Sequence, residues 1–309
     1  MYLSGHFQIH SLAEGIFALE AAEYGGAMSN AGIIDMGGYT LVFDTFNTPQ
    51  AGNDLHTAAM ELLGQPVRYV VNSHFHGDHV RGNQHFGDAV IVSSRLTREL
   101  MLSSQQAWLD RMTPLLPQLE ADIAGVKRQI DEAVDEAVRS RQNGQRIVLE
   151  ELRESIQTLE FRYPEVTFGQ KLSFHGAARS AELFTVGAAH TPCDSVLVLP
   201  EEGILFAGDV IAVDNHPLLT DGDPEHWLEA LSELEQLGAR QIVPGHGPVG
   251  GPESITRIRE YIQDLLALGA NPRAGLPAAE YPIPEAYRGW HADGVFHRNL
   301  EFLFGRASH

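Results

Sequence analysis

The spacing of apolar residues changes period several times along the chain, and each change marks an element. Short runs of strand character at 15–20, 30–35 and 39–44, with a turn at Gly37-Gly38, predict that residues 7–45 form short strands. Residues 55–63 carry a helical pattern and lead into an apolar strand, Val67-Arg68-Tyr69-Val70-Val71. A helix is expected over 79–86 and a strand over 89–92. From about 95 to 163 the alternation stops. Leu115, Leu119, Ile123, Val126, Ile130, Val134 and Val138 recur at steps of three and four, and Leu149, Leu152, Ile156 and Leu159 continue the stripe. That periodicity predicts an inserted helical hairpin that turns at Asn143-Gly144, with charged residues on its solvated face.

Beyond the insertion the strand and helix signals return. Residues 195–199 and 203–206 read as a hairpin around Pro200-Glu201-Glu202. Asp223-Pro224 is a helix start, and Trp227, Leu228, Leu231, Leu234 and Leu237 share one face before Gly238 ends it. Ile242-Val243 is a further strand, 253–268 a helix, and 296–304 an amphipathic terminal helix after a proline-rich stretch at 270–290. Strands alternating with helices and hairpins predict an α/β (α+β) protein of two mixed sheets flanked by helices. The expectation is one domain over 1–309, with a helical insertion at about 95–163 and a C-terminal extension at about 270–309.

The chemistry is concentrated just after the strand at 67–71. His74-Phe75-His76-Gly77-Asp78-His79 places four metal-capable side chains within six residues. In extended backbone, side chains two apart point the same way, so His74 and His76 can grip one ion together. Asp78 and His79, past Gly77, then project toward a second position. Neutral imidazole suits zinc and iron, and a carboxylate neutralises charge. Three more such residues each end an apolar run: His190 before Thr191-Pro192, Asp209 after Phe206-Ala207-Gly208, and His246 after Pro244-Gly245. Small residues beside each let the backbone turn closely around an ion.

The ordered set His-x-His-x-Asp-His, Ala-His-Thr-Pro, Phe-Ala-Gly-Asp and Pro-Gly-His-Gly resembles the metallo-β-lactamase superfamily of metallohydrolases, over most of residues 14–265. The resemblance implies an αββα sandwich and two divalent metal ions, with Zn2+ the first choice and Fe or Mn also compatible. His74, His76 and His190 would hold one metal, and Asp78, His79 and His246 the second, with Asp209 bridging. Asp44 matches the family's early aspartate, a partner for a ligating imidazole or a strand-end cap. The reaction implied is attack by a bridging hydroxide on an ester, lactone, thioester, β-lactam or phosphoester bond, with Asp78 orienting the nucleophile and moving its proton. Alternatives on the same scaffold are a mononuclear-iron, persulfide-type sulfur dioxygenase and a subclass-B3-like β-lactamase.

Departures from the pattern narrow this. The best-known β-lactamases carry cysteine in place of Asp209 and lysine in place of Ala212, so their anchor for the drug's carboxylate is missing here. Thiolesterases for glutathione conjugates carry glycine–histidine where this chain has Cys193-Asp194. Asp194 is expected to brace the loop of His190. His216, seven residues past Asp209, is a candidate for contact with substrate or for a structural loop role. Trp108 and Met112 are candidates for a pocket wall or for core packing.

Composition adds exclusions. Of 309 residues, 43% are hydrophobic, enough for a large core. A net charge of −20 without a basic run opposes nucleic acid as a partner and leaves a small-molecule substrate as the expectation. One cysteine, Cys193, excludes an internal disulfide and suits a reducing, cytoplasmic setting. The sequence Met1-Tyr2-Leu3-Ser4-Gly5-His6 has no signal-like character, and no run reaches membrane-spanning length, so no membrane partner is expected. The insertion is a candidate lid or a candidate surface for a homo-oligomer.

Overall fold

In a computed structural model, which describes residues 2–273 and 275–307, the chain divides into two compact units. One runs to Phe168 and adds residues 176–178; the other comprises Gly169–His175 and the chain from Arg179 onward.

The first unit carries a seven-stranded sheet in sequence order. Its strands β1 (Phe7–Ala13), β2 (Ile16–Ala21), β3 (Ala31–Asp35) and β4 (Thr40–Phe43) are antiparallel neighbours. Helix α1 (Pro49–Leu63) then crosses over to β5 (Val67–Val71), which lies parallel to β4. The start of α1 is written in the sequence: the Thr48 hydroxyl accepts from the Ala51 amide, and Pro49 occupies the first helical turn. A four-residue helix α2 (Gly77–Val80) and a 3-10 turn (Arg81–His85) stand where one helix over 79–86 was expected. Strand β6 (Val90–Ser94) follows, parallel to β5. The core between sheet and helix includes Leu19, Ile33, Val42, Phe46, Leu55, Val70 and Ile91.

The insertion differs from its expected outline. It comprises three helices, α3 (Arg95–Met112), α4 (Leu116–Glu132) and α5 (Glu136–Thr158), before β7 (Val166–Phe168) pairs parallel with β6. The reversal falls at Ala133–Asp135, where the Asp135 side chain caps α5, and Asn143-Gly144 lies inside α5. Gly144 is there because the Tyr24 ring lies against it: a Cβ would sit 2.4 Å from Tyr24 Cγ. A close approach has no periodic signature, and in sequence Asn-Gly has the same form as a turn. The middle of the apolar stripe packs as expected, with Leu119, Ile123 and Ile156 buried against Trp108, Met112, Leu149 and Leu152, whereas Leu115, Val134 and Val138 are exposed, at and around the turns that end α3 and α4. Trp108 and Met112 are thus partly buried packing residues.

The second unit holds a five-stranded sheet in the order β12-β11-β10-β9-β8, formed by β8 (Lys171–His175), β9 (Ser180–Gly187), β10 (Asp194–Leu199), β11 (Ile204–Ala212) and β12 (Gln241–His246). Only β11 and β12 pair in parallel; the other neighbours are antiparallel. Helix α6 (Pro224–Gln236) is capped by the Asp223 carboxylate, which accepts from the Glu225 and His226 amides. It buries the Trp227, Leu231 and Leu234 face, as its spacing requires. Helices α7 (Glu253–Ala270) and α8 (Asp293–Ala307) complete a core built around Tyr261, Ile258, Phe296 and Leu300. Within the expected extension at 270–309, Ala274, Ser308 and His309 lie outside the described residues, as does Met1 at the other end. No helix among the described residues is long and apolar enough to cross a membrane.

Candidate metal centre

Each unit contributes its own set of metal-capable donors. In the first, β5 runs buried into Asn72-Ser73, and the donor turn begins at His74. The turn is pinned from inside by paired amides: Asn83 donates to Asn72 Oδ1 at 2.9 Å, and Asn72 donates to Asn83 Oδ1 at 3.1 Å. The imidazole rings of His74 and His76 lie 4.8 Å apart between centroids, and those of His74 and His79 lie 4.2 Å apart. Asp78 Oδ2 is 3.7 Å from His79 Nε2. All four donors predicted in this segment therefore gather at one end of the sheet.

Asp44 fixes two of these rings. It sits just past the end of β4 with φ +58, a backbone region that aspartate tolerates better than most residues. Its carboxylate accepts from the Ser73 amide at 2.8 Å, from the Ser73 hydroxyl at 2.8 Å and from His79 Nδ1 at 2.8 Å. With its proton given to Asp44, the Ser73 hydroxyl accepts from His74 Nδ1 at 2.9 Å. One carboxylate thus commits the Nδ1–H of His79 directly and that of His74 through a serine. In both rings Nε2 is left with its lone pair. Burial raises the Asp44 carboxyl above its ordinary value, and His79 and Ser73 offset part of the rise. The Ser73 amide can only donate, so it fixes Oδ1 as an acceptor.

In the second unit the donors come from separate strand ends. Asp209 lies in β11, His246 ends the neighbouring β12, and His190 follows β9. His190 Nε2 and His246 Nε2 each approach Asp209 Oδ2 at 3.2 Å. His190 Nδ1 is 2.9 Å from the Leu218 carbonyl, an oxygen that only accepts, so Nδ1 carries the proton. Nε2 then faces a carboxylate oxygen with a lone pair, unless a proton or a cation stands between them. That arrangement fits a metal ion, and the donor set of imidazoles and carboxylates fits zinc, iron or manganese.

The remaining candidates fall into place within this unit. Asp194 accepts from the Thr191 amide at 2.8 Å and from the Thr191 hydroxyl at 2.5 Å, bracing the residue next to His190. Cys193 is buried beside Thr191 Oγ1. His216 has its side chain fully buried: Nδ1 lies 3.0 Å from the Tyr261 hydroxyl, and Tyr261, Trp290 and Phe296 surround the ring. Burial lowers its imidazole to about 4; Asp293 acts in the opposite direction and His297 adds to the drop. Sequence reasoning missed Ser73, Asn72, Asn83 and the Leu218 carbonyl. Ser73 had one usable signal, its place beside the first donor; a backbone carbonyl has none.

Comparison with known proteins places the chain in a class. Residues 24–246 match the model of the metallo-beta-lactamase superfamily, and the chain belongs to that superfamily. Among curated proteins it is 24% identical over 241 residues to a linear primary-alkylsulfatase of Pseudomonas sp. (strain ATCC 19151), covering 74% of this chain and 43% of that protein. It is 28% identical over 115 residues to a metallo-beta-lactamase type 2 of Bacteroides fragilis, covering 35% of this chain and 46% of that protein. The chain thus spans less than half the length of each of these relatives. Among solved structures, a metallo-beta-lactamase from Pontibacter korlensis superposes with a TM-score of 0.61 at 19% identity, over 84% of this chain and 99% of the other. Two mixed sheets with flanking helices, the αββα fold class, are as expected.

Proposed function

We propose that the seven metal-capable residues singled out in the sequence hold two divalent ions and that the chain is a metal-dependent hydrolase of small molecules. His74, His76, His190 and Asp209 take the first ion; Asp78, His79 and His246 take the second, with Asp209 shared. The observation that carries this reading is the approach of two imidazole Nε2 atoms to one Asp209 oxygen, at 3.2 Å each, with His190 Nδ1 committed elsewhere. A bridging carboxylate has that environment. The seven residues span positions 74 to 246, so this reading takes 1–309 as one catalytic domain.

Two divalent ions, most simply zinc, would supply ionised water at neutral pH and polarise the substrate oxygen. The chain's own residues do the rest. Asp44 and Ser73 hold His74 and His79 in the tautomer that offers Nε2. Asp78, with its side chain 21% exposed, is the donor placed to orient the attacking water and move its proton. Ala212 offers no cation for a carboxylate-bearing lactam, which disfavours penicillins. The alkylsulfatase relative adds sulfate esters to the carbonyl and phosphorus esters already in view. A single buried cysteine accords with a cytoplasmic setting.

Elemental analysis of the purified protein, coupled to a panel of primary alkyl sulfate, lactone, thioester, phosphodiester and β-lactam substrates, tests this. About two equivalents of metal and turnover on one ester class are expected. A single iron with oxygen uptake on a persulfide would replace the hydrolase with a dioxygenase.

A further inference from the structure

Helix α3 touches the donor turn at two points, and neither contact is needed for a helix to cover a sheet. Gln105 is buried, and its Nε2 donates at 2.7 Å to the carbonyl of Phe75, the residue between His74 and His76. Its Oε1 is also buried and has no hydrogen-bond partner among the described residues. An amide that loses water at one end without compensation is costly to keep in a helix interior. One turn further on, and therefore on the same face, Trp108 lies over the Arg81 guanidinium, 3.6 Å from Cζ to the ring centroid. The same guanidinium lies close against Gly77, where a Cβ would come within 2.1 Å of Cζ. Arg81 Nη1 donates to Asn47 Oδ1 at 2.6 Å. Arg81 thus links Trp108 to Gly77, the residue between His76 and Asp78. Helix α3 is itself fixed at its start, where Ser94, the last residue of β6, caps it by accepting from the Thr97 amide at 3.0 Å.

We propose that α3 is a brace for the donor turn, with Gln105 and Trp108 as positioning residues that set metal affinity without touching metal. This rests on the metal-centre reading above. Ligating side chains must be held within a fraction of an ångström, and supporting contacts that lock them change affinity more than overall stability. The inserted helices thereby act on the centre from behind the donor turn, through its backbone at Phe75 and Gly77.

Zinc affinity by chelator competition, melting temperature, and amide hydrogen exchange of residues 74–81 in metal-free protein test the brace. Gln105→Met and Trp108→Leu are each expected to weaken zinc binding about 10-fold and to speed exchange in the turn. Trp108→Phe, which keeps an aromatic face for Arg81, should restore most of the affinity. Val126→Ala, buried on α4 outside the cluster that packs on Trp108, should lower the melting temperature and leave zinc affinity and turn exchange unchanged. Unchanged turn exchange in both Gln105→Met and Trp108→Leu overturns the brace, as does a loss of affinity in Val126→Ala equal to theirs. Should the wild-type chain bind no metal while the exchange pattern holds, the hydrolase reading fails and the brace stands.

Discussion

The two donor sets solve the same problem by opposite routes. Four donors of the first unit lie within six consecutive residues, and side chains orient two of them: Asp44 bonds His79 directly and reaches His74 through Ser73. The three donors of the second unit lie 19 to 56 residues apart in sequence, and its sheet gathers them, with a backbone carbonyl orienting His190. A local cluster needs outer side chains because a short turn is soft. Donors on paired strands inherit rigidity from the hydrogen-bonded ladder. The first set should therefore be sensitive to outer-shell substitution and the second to loss of a donor.

The largest effect expected is in the second set. Asp209→Ala removes the carboxylate that both His190 and His246 face, and should cost both metal equivalents and reduce turnover to background, read by elemental analysis and initial rates. His76→Ala, in the first set, should abolish hydrolysis while leaving the fold largely intact. Next comes Asp44→Asn, which replaces the acceptor shared by His79 and Ser73 with an amide. Zinc affinity should fall by about 10–100-fold, and more through His79 than through any donor of the second unit. Equal affinity in Asp44→Asn and wild type would erase the contrast between the two sets.

A smaller effect separates the units by pH. His216 in the second unit has its pKa lowered to about 4 by burial, so the folded state resists a proton that the unfolded chain accepts near 6.5. Its contribution is fully present above about pH 6.5 and is lost as pH falls toward 4, up to about 3 kcal/mol. His6 in the first unit has the opposite sign. Burial alone would lower it, but Glu151 and Asp54 outweigh that and raise it. Its contribution is present below the unfolded value and is lost as pH rises through the folded one. Urea unfolding between pH 4.5 and 8 should show His216→Phe flattening the acid side and His6→Gln the neutral side. The same change of slope from both variants would remove this distinction.

The sequence by itself determined the elements with strong period and marked which residues are candidate donors. Strand β5, helix α6 with its Asp223 cap, and the β10–β11 hairpin were legible because burial and capping write a repeating or local pattern. The seven candidate donor positions stand out because glycine, proline and apolar runs lie beside them. Tertiary structure alone decided which ring nitrogen His74, His79 and His190 offer, since that depends on Asp44, Ser73 and the Leu218 carbonyl, none of which advertises its partner. It also decided that Asn143-Gly144 lies within a helix, because the cause is the Tyr24 ring, distant in sequence. Periodicity records what a segment does with its own backbone; contacts between segments leave no period to read.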